Sequence, residues 1–457
     1  MQLRSAWTLL IGATLIGLPA LIFRIGGIHV STELEVTIFG LGILSAAFLI
    51  STGAEAAQHD IPAALSVALI AFIAVLPEYA VDLLLAFEAG GEDLALCGAA
   101  GQPECKRELA LANMTGANRL LLGVGWATVI FLFAWKRGGP RRIVVTAARS
   151  SWRYLRRRAP DPDEPLLRLP GGIGLDIGIL AVATIYSFII VVKGRLAIED
   201  TIVLGVLFFW YVLRLTRSPV EEPELEGPAA RVGSLPTVQR RIAVAFLIGY
   251  SAAVIALSAE PFVHGLEQIG RDVGIGEFFV IQWIAPLASE SPEFLAALYL
   301  VWRGSAGMGV NMLISSKVNQ WTLLIASIPI AFIAGGGIIE GIASSSVQRA
   351  EVFITAAQSA FGVMLIIDRR LTARAGFALI SLFLAQLITQ FFFQEDNTPR
   401  IVFGIIYLAI TALMATQHWR SIMPTLREAF RSPAAAAALH THGDDATSDL
   451  ETEGKDE

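Results

Sequence analysis

The chain has 457 residues, of which 54% are hydrophobic and 16% are charged, and its formal net charge is −6. This composition is too apolar for a soluble protein of several domains, and it indicates a polytopic membrane protein.

Twelve windows of about 18 or more mostly apolar residues are long enough to cross a bilayer core of roughly 30 Å. The first is expected to be a retained helix, because no convincing small-residue cleavage site follows the apolar run after Arg4. The predicted spans are 6–23, 35–52, 62–88, 109–135, 172–193, 199–216, 241–259, 276–302, 308–335, 350–367, 375–393 and 400–417.

Lys and Arg are concentrated in alternate loops. Basic stretches occur at 136–158, 302, 368 and 420–431, whereas the loop at 90–108 is acidic or nearly neutral. Because basic loops face the cytoplasm, both termini are predicted to be cytoplasmic, in an integral protein of the plasma or inner membrane.

Two cysteines, Cys97 and Cys105, fall in the loop at 90–108, which is predicted to be external. A disulfide is permitted there, and two free thiols are the alternative. No third or fourth ligand is spaced to form a zinc site with them.

An internal repeat relates the two halves of the chain. "LPEYAVDLLLAFEAG" and "SESPEFLAALYLVWRG" each contain Pro-Glu, and each is followed by a span that contains Asn-Met. The Pro-Glu spans are the third and eighth, so they cross the membrane in opposite directions. The sequence thus predicts an all-α fold of about twelve transmembrane helices, with two inverted five-helix repeats and one extra helix at each end.

The predicted division of the chain follows from this repeat. The linker, which is rich in Pro, Glu and Gly, is typical of a hinge or a disordered connector. The units are an extra helix (1–34), the first repeat (35–216) with a basic loop (136–171), a cytoplasmic linker (217–240), the second repeat (241–393), a second extra helix (394–431) and a disordered acidic tail (432–457).

Pro77 and Pro292 lie inside their predicted spans, where each removes a backbone donor and frees carbonyl groups. Irregular backbone at this depth is tolerated where it lines a cavity, and freed carbonyls there bind cations. A simple kink is the alternative for each proline alone.

Four acidic residues accompany these prolines. Asp82 lies one turn beyond Glu78, and Glu290 one turn before Glu293, so each helix presents two carboxylates on one face. Each buried acid costs on the order of 3 kcal/mol in the membrane, which a functional site would compensate. Hard oxygen ligands suit sodium, calcium or protons. The alternative is a set of neutral or salt-bridged structural acids.

These segments resemble the two alpha repeats of the cation/calcium antiporter superfamily, which includes the sodium/calcium exchangers. In that family a Gly-Thr-Ser-x-Pro-Glu helix is followed by an Asn-x-x-Gly-Ser-Asn-x-x-Asn helix, and their oxygen atoms bind the transported ions. The resemblance places the transported cation at Glu78 and Glu293. With the neighbouring acids and motif positions, the predicted ion-binding set is Glu78, Asp82, Asn113, Asn118, Ser289, Glu290, Glu293, Ser315, Ser316 and Asn319.

The chain departs from that family's pattern mainly in its first repeat, where several oxygen-bearing residues are replaced by apolar ones. In addition, Arg119 and Lys317 occupy matching positions where the family usually has an apolar residue. We expect them to act as internal counter-charges that pair with Asp82 or Glu290. Alternatively, they snorkel to an interface or neutralise an acid for stability alone.

A secondary cation antiporter that works by alternating access is the predicted function, with sodium, calcium or protons as the exchanged ions. The sequence contains no phosphate-binding loop, and no nucleophile and base pair or His-rich metal motif. No enzymatic activity, cofactor, nucleotide or nucleic acid is therefore expected, and the partners are inorganic cations and the lipid bilayer. A transport-inactive scaffold or regulatory protein with the same fold is the alternative.

Overall fold

The computed structural model describes residues 3–60, 76–93, 105–148, 165–169, 173–217, 225, 227–304, 306–393 and 396–430, and these are almost entirely helical. The first half contains α1 (Leu3–Gly26), α2 (Thr32–Ala57), α3 (Leu76–Gly90), α4 (Lys106–Leu120), a first π segment (Leu121–Trp126), α5 (Ala127–Ala148), α6 (Gly174–Lys193) and α7 (Ile198–Thr216). The second half contains α8 (Gly227–Gly233), α9 (Thr237–Val273), α10 (Glu277–Arg303), α11 (Ala306–Asn319), a second π segment (Gln320–Leu324), α12 (Ile325–Ala334), α13 (Ser346–Ile366), α14 (Ala373–Phe392) and α15 (Thr398–Phe430).

The predicted helical polytopic fold is confirmed. Every predicted span overlaps a helix, although the third is described only from Leu76 onward. Within the described residues, nine helices are long and apolar enough to cross a membrane. The count of twelve transmembrane helices stays a prediction.

Two connections differ from the sequence-based expectation. The helix α5 continues to Ala148, well into the predicted basic loop, whose residues 149–164 lie outside the described ranges. The predicted linker contains the short helix α8, which packs on α2 because its Ala229 and Val232 are buried. Part of the expected hinge or disordered connector is therefore ordered. The acidic tail, 432–457, lies outside the described residues.

Two short antiparallel ladders fix the relative direction of one pair of equivalent helices. Strand β1 (Leu166–Arg168) precedes α6 and pairs with β4 (Arg370–Thr372), which follows α13. Strand β2 (Arg195–Leu196) follows α6 and pairs with β3 (Ile342–Ala343), which precedes α13. The start of each helix is thus joined to the end of the other, so α6 and α13, the fourth helices of the two repeats, must run in opposite directions.

Glycine allows the helices that carry the motifs to approach closely. A Cβ atom at Gly116 of α4 would lie 1.7 Å from the carbonyl oxygen of Gln282 in α10, so only glycine fits at this crossing. At one end of α6, Gly194 adopts a left-handed conformation (φ 69°) that ends the helix and directs the chain into β2.

The third helix of each repeat contains a π segment at the same place. The first π segment follows α4 directly, and the second follows α11 directly. By the motif alignment, Leu121 and Asn319 are equivalent, so the two irregular stretches overlap. Single π turns inside α-helices are frequent at functional sites.

Candidate functional site

Four carboxylates from the two Pro-Glu helices meet inside the protein. Glu78 and Asp82 of α3, and Glu290 and Glu293 of α10, are each at most 6% exposed. The two helices are in contact, and Glu78 interacts electrostatically with the other three acids. The sequence-based prediction that these four residues come together therefore agrees with the geometry.

Gln320, the first residue of the second π segment, joins the two helices. Its Nε2 donates to Oε1 of Glu290 at 2.7 Å and to Oε2 of Glu78 at 3.3 Å. The carboxyl groups of Glu78 and Glu290 also lie within hydrogen-bonding range of each other. Gln320 is thus a site residue that the motif comparison missed, because it lies one position beyond the motif's last residue.

The predicted asparagines contact the same acids or their neighbours. Asn113 of α4 donates from Nδ2 to Oδ1 of Asp82 at 3.0 Å. The hydroxyl of Tyr79, next to Glu78 in α3, donates to Oδ1 of Asn319 at 3.3 Å. Both asparagines are buried, so α4 and α11 each bring a carboxamide group to the Pro-Glu helix α3.

Lys317 is the internal cation of this cluster. It is buried, and its Nζ donates to the carbonyl oxygen of Asn118 at 3.0 Å and to Oδ1 of Asn118 at 3.2 Å. Its ammonium group interacts electrostatically with Glu290 and Glu78. The prediction of a counter-charge at Lys317 agrees with these contacts.

Arg119 does not have the predicted pairing with a site acid. Its guanidinium group forms an ion pair with Glu351 of α13 at 2.5 Å and lies 4.7 Å above the ring centre of Trp283. One residue along an α-helix turns the side chain by about 100°, so Arg119 leaves α4 in a different direction from Asn118. The prediction that Arg119 pairs with Asp82 or Glu290 is wrong.

Among the described residues, the predicted serines form no hydrogen bond with the four acids of the cluster. Ser289 is buried and donates to the carbonyl oxygen of Ala285 at 3.4 Å. Ser315 donates at 2.9 Å to Asp176 of α6, a carboxylate that the motifs did not identify. Within the described part of the chain, the hydroxyl of Ser316 has no hydrogen-bond partner.

The predicted disulfide stays a prediction. Cys105 lies directly before α4, and the described residues include no free cysteine. Cys97 lies outside the described residues.

The charge and chemistry of the cluster suit a hard cation. Four carboxylates and the ammonium group of Lys317 leave three negative charges if all are ionised, and every neighbouring donor atom is oxygen or nitrogen. Among the described residues, no group of three or more His, Cys, Asp or Glu side chains is arranged to hold a metal ion. The amide of Gln320 lies between Glu78 and Glu290 in this arrangement.

Comparisons with known proteins agree with the motifs and the fold. Residues 243–392 match the model of the family described as "Sodium/calcium exchanger protein". A crystal structure described as that of the H⁺/Ca²⁺ exchanger CAX is 34% identical in sequence, with a TM-score of 0.81, over 95% of this chain and 99% of that one. The structure of native YfkE shares the fold, at 14% identity and a TM-score of 0.58, over 85% of this chain and 99% of its own. A search of curated protein sequences finds no match.

Proposed function

Because the chain belongs to the cation/calcium exchanger superfamily, we propose that it exchanges cations across the plasma or inner membrane through a site between Glu78 and Glu293. The observation that carries the proposal is the meeting of four buried carboxylates from equivalent helices of the two repeats. Buried acids inside a membrane protein mark ion pathways by default.

Alternating access would expose this site to one side of the membrane at a time. The inverted repeats support this mechanism, because the two halves have equivalent helices in opposite orientations. The ion would be held by carboxylate oxygens from α3 and α10 and by amide oxygens from α4 and α11.

Calcium and protons are the exchanged ions that we favour. The relative at 34% identity is described as an H⁺/Ca²⁺ exchanger. The neighbouring carboxyl groups of Glu78 and Glu290 support proton binding here, because two adjacent carboxylates repel each other unless a proton or another cation lies between them. Sodium/calcium exchange is the second possibility, from the matched family description.

A transport-inactive scaffold requires basic residues that lock the acids permanently. Of the two candidate basic residues, Lys317 interacts with acids of the cluster, whereas Arg119 pairs with Glu351. Three of the four acidic charges then lack a basic partner in the cluster, which favours a transporter.

The decisive experiment is cation flux into proteoliposomes. We expect Glu78→Gln and Glu293→Gln to reduce calcium-45 uptake driven by a pH gradient to the level of empty liposomes. Each substitution removes a charged oxygen ligand and changes little in side-chain volume. Glu340→Gln, which makes the same chemical change at an exposed loop residue, should retain full uptake.

Size-exclusion chromatography in detergent will verify that the variants are folded. Undiminished flux in both site variants would show that the glutamates do not bind the transported ion. If the wild-type protein moves neither calcium nor sodium under pH, sodium or calcium gradients applied singly, the scaffold alternative is correct.

A further inference from the structure

Asp176 is a buried carboxylate in the first turn of the apolar helix α6. It is 5% exposed, and its Oδ1 accepts hydrogen bonds from the hydroxyl of Tyr211 in α7 at 2.7 Å and from the hydroxyl of Ser315 in α11 at 2.9 Å. Two neutral hydroxyl groups orient the carboxylate, but they do not neutralise its charge. An ionisable residue in such a helix is a functional candidate.

A second aspartate in the same pair of helices has a different environment. Asp200, at the start of α7, accepts a hydrogen bond from Tyr186 of α6 at 2.9 Å. Each of the two aspartates therefore bonds to a tyrosine of the other helix. Asp200 is also bonded to the ammonium group of Lys193 and to the backbone N–H of Ala197. Asp176 has no Lys, Arg or His ion-pair partner among the described residues, so the two carboxylates differ in charge compensation.

Ser315 connects Asp176 to the candidate site. Ser315 and Asn319 are separated by one helical turn and therefore lie on the same face of α11. Asn319 contacts Tyr79, which adjoins Glu78. One face of α11 therefore bonds to Asp176 through Ser315 and, through Asn319, to α3, the helix that carries Glu78 and Asp82.

We infer that Asp176 and Ser315 form an accessory binding position for the transported cation, next to the site between Glu78 and Glu293. Tyr211 is a positioning residue that holds the carboxylate toward Ser315. A position built from a carboxylate and a hydroxyl suits a hard cation such as calcium or sodium. The inference rests on the proposed exchange function and adds a ligand from outside the two motifs.

The test compares the two aspartates. We expect Asp176→Asn to raise the concentration for half-maximal uptake about tenfold, because calcium affinity follows the number of charged ligands. The maximal rate of uptake should change by a smaller factor than the half-maximal concentration. The probe is calcium-45, or sodium-22 if the wild type transports sodium. Tyr211→Phe should raise the half-maximal concentration by a smaller factor, and the matched control Asp200→Asn should leave it unchanged.

An unchanged half-maximal concentration in Asp176→Asn, or an equal increase in Asp200→Asn, would overturn the inference. If Asp176→Asn does not fold, Tyr211→Phe becomes the test of the inference. A wild-type half-maximal concentration in Tyr211→Phe would then overturn the inference. If Glu78→Gln retains flux while Asp176→Asn loses affinity, the main site is wrong and the accessory position stands. If the wild type transports nothing, equilibrium calcium-45 binding to the detergent-solubilised protein tests Asp176, and equal binding by the Asn variant contradicts it.

Discussion

At the scale of single residues, Lys317 is the feature that most distinguishes this site from a purely acidic one. A fixed ammonium group beside Glu290 and Glu78 repels an incoming cation, and the repulsion grows with the charge of that cation. We therefore expect it to influence the choice between divalent and monovalent ions at the proposed site. The same group also holds Asn118 through two hydrogen bonds.

We expect Lys317→Gln to change the ratio of calcium to sodium affinity in favour of calcium, on the order of tenfold, which corresponds to about 1.4 kcal/mol. Glutamine retains a donor for Asn118 while the positive charge is removed. The measurement is competition by sodium against calcium-45 uptake in proteoliposomes. Lys136→Gln, at an exposed position in the middle of α5, is the control and should keep the wild-type ratio. An unaltered ratio in Lys317→Gln would exclude a role for this charge in ion choice.

The sequence could indicate that the four acids lie close together, because their helical spacing and motif positions are local information. Their role in ion binding stays a prediction. The sequence could not predict Gln320 as their bridge, since the hydrogen bond to Glu78 joins residues 242 positions apart. For Asp176 a signal was present, a single acid in an otherwise apolar helix, but its partners Tyr211 and Ser315 are defined only by packing. Arg119 and Lys317 occupy matching positions in the two repeats, but they have different partners. A matching position in the sequence therefore did not predict the partner of Arg119.

At the scale of helices, a second buried polar cluster joins the last helix to the repeats. Glu351 of α13 lies between Arg119 of α4 at 2.5 Å and Arg400 of α15 at 2.6 Å. Gln390 of α14 accepts from Arg119 and donates to Glu351. One carboxylate therefore connects four helices, and it compensates two guanidinium groups.

Replacement of Glu351 by Gln should lower the free energy of unfolding by about 3–5 kcal/mol, because it removes the negative charge that Glu351 supplies to two buried guanidinium groups. Thermal unfolding in detergent, followed by tryptophan fluorescence, measures the effect, and Trp283 beneath Arg119 is a local reporter. Glu33→Gln at an exposed position of α2 is the control. Equal stability of the two variants would contradict a structural role for this cluster.

Within the described residues, the irregular backbone near the site lies in the helices next to the two Pro-Glu helices. The helix α10 is continuous from Glu277 to Arg303, so the irregularity predicted there is not found. The residues before Leu76 lie outside the described ranges, so the irregularity predicted at Pro77 stays a prediction. The irregular stretches are the two π segments in the neighbouring helices. A π segment has no simple sequence signature, so the repeat motifs indicated the helices involved but not the position of the irregularity.

At the scale of the whole molecule, a charged contact joins the two repeats outside the apolar helices. Asp60, after α2, accepts hydrogen bonds from Arg240 at 2.7 and 2.9 Å and from Arg241 at 3.0 Å, both near the start of α9. The hydrogen bonds from Arg240 lower the pKa of Asp60 to about 2, although desolvation opposes them. Asp60 is therefore ionised throughout the physiological range.

The sign of the pH dependence follows from this lowered pKa. Asp60 contributes stability that is fully present above the ordinary aspartate pKa of 3.8 and is lost as the pH falls through about 2. We expect the difference in unfolding temperature between wild type and Asp60→Asn to be constant from about pH 5 to 8 and to shrink below about pH 4. Added salt should reduce the difference, because Arg241 is exposed and Asp60 and Arg240 are partly accessible to solvent. A difference that grows on acidification would contradict this account.

The inverted repeat was predictable from the order of the spans, but the strand ladders were not. They pair segments of two or three residues that are far apart in sequence, too short to show any alternation of polar and apolar residues. Only the arrangement of α6 and α13 brings them together.

These ladders also limit how the molecule moves. They join α6 and α13 at both ends, so sliding either helix along its axis by one strand residue, about 3.3 Å, would break the register of both ladders together. The two fourth helices thus form a stiff frame. Any rearrangement that opens the acid cluster to one side of the membrane or the other must take place in helices outside that frame.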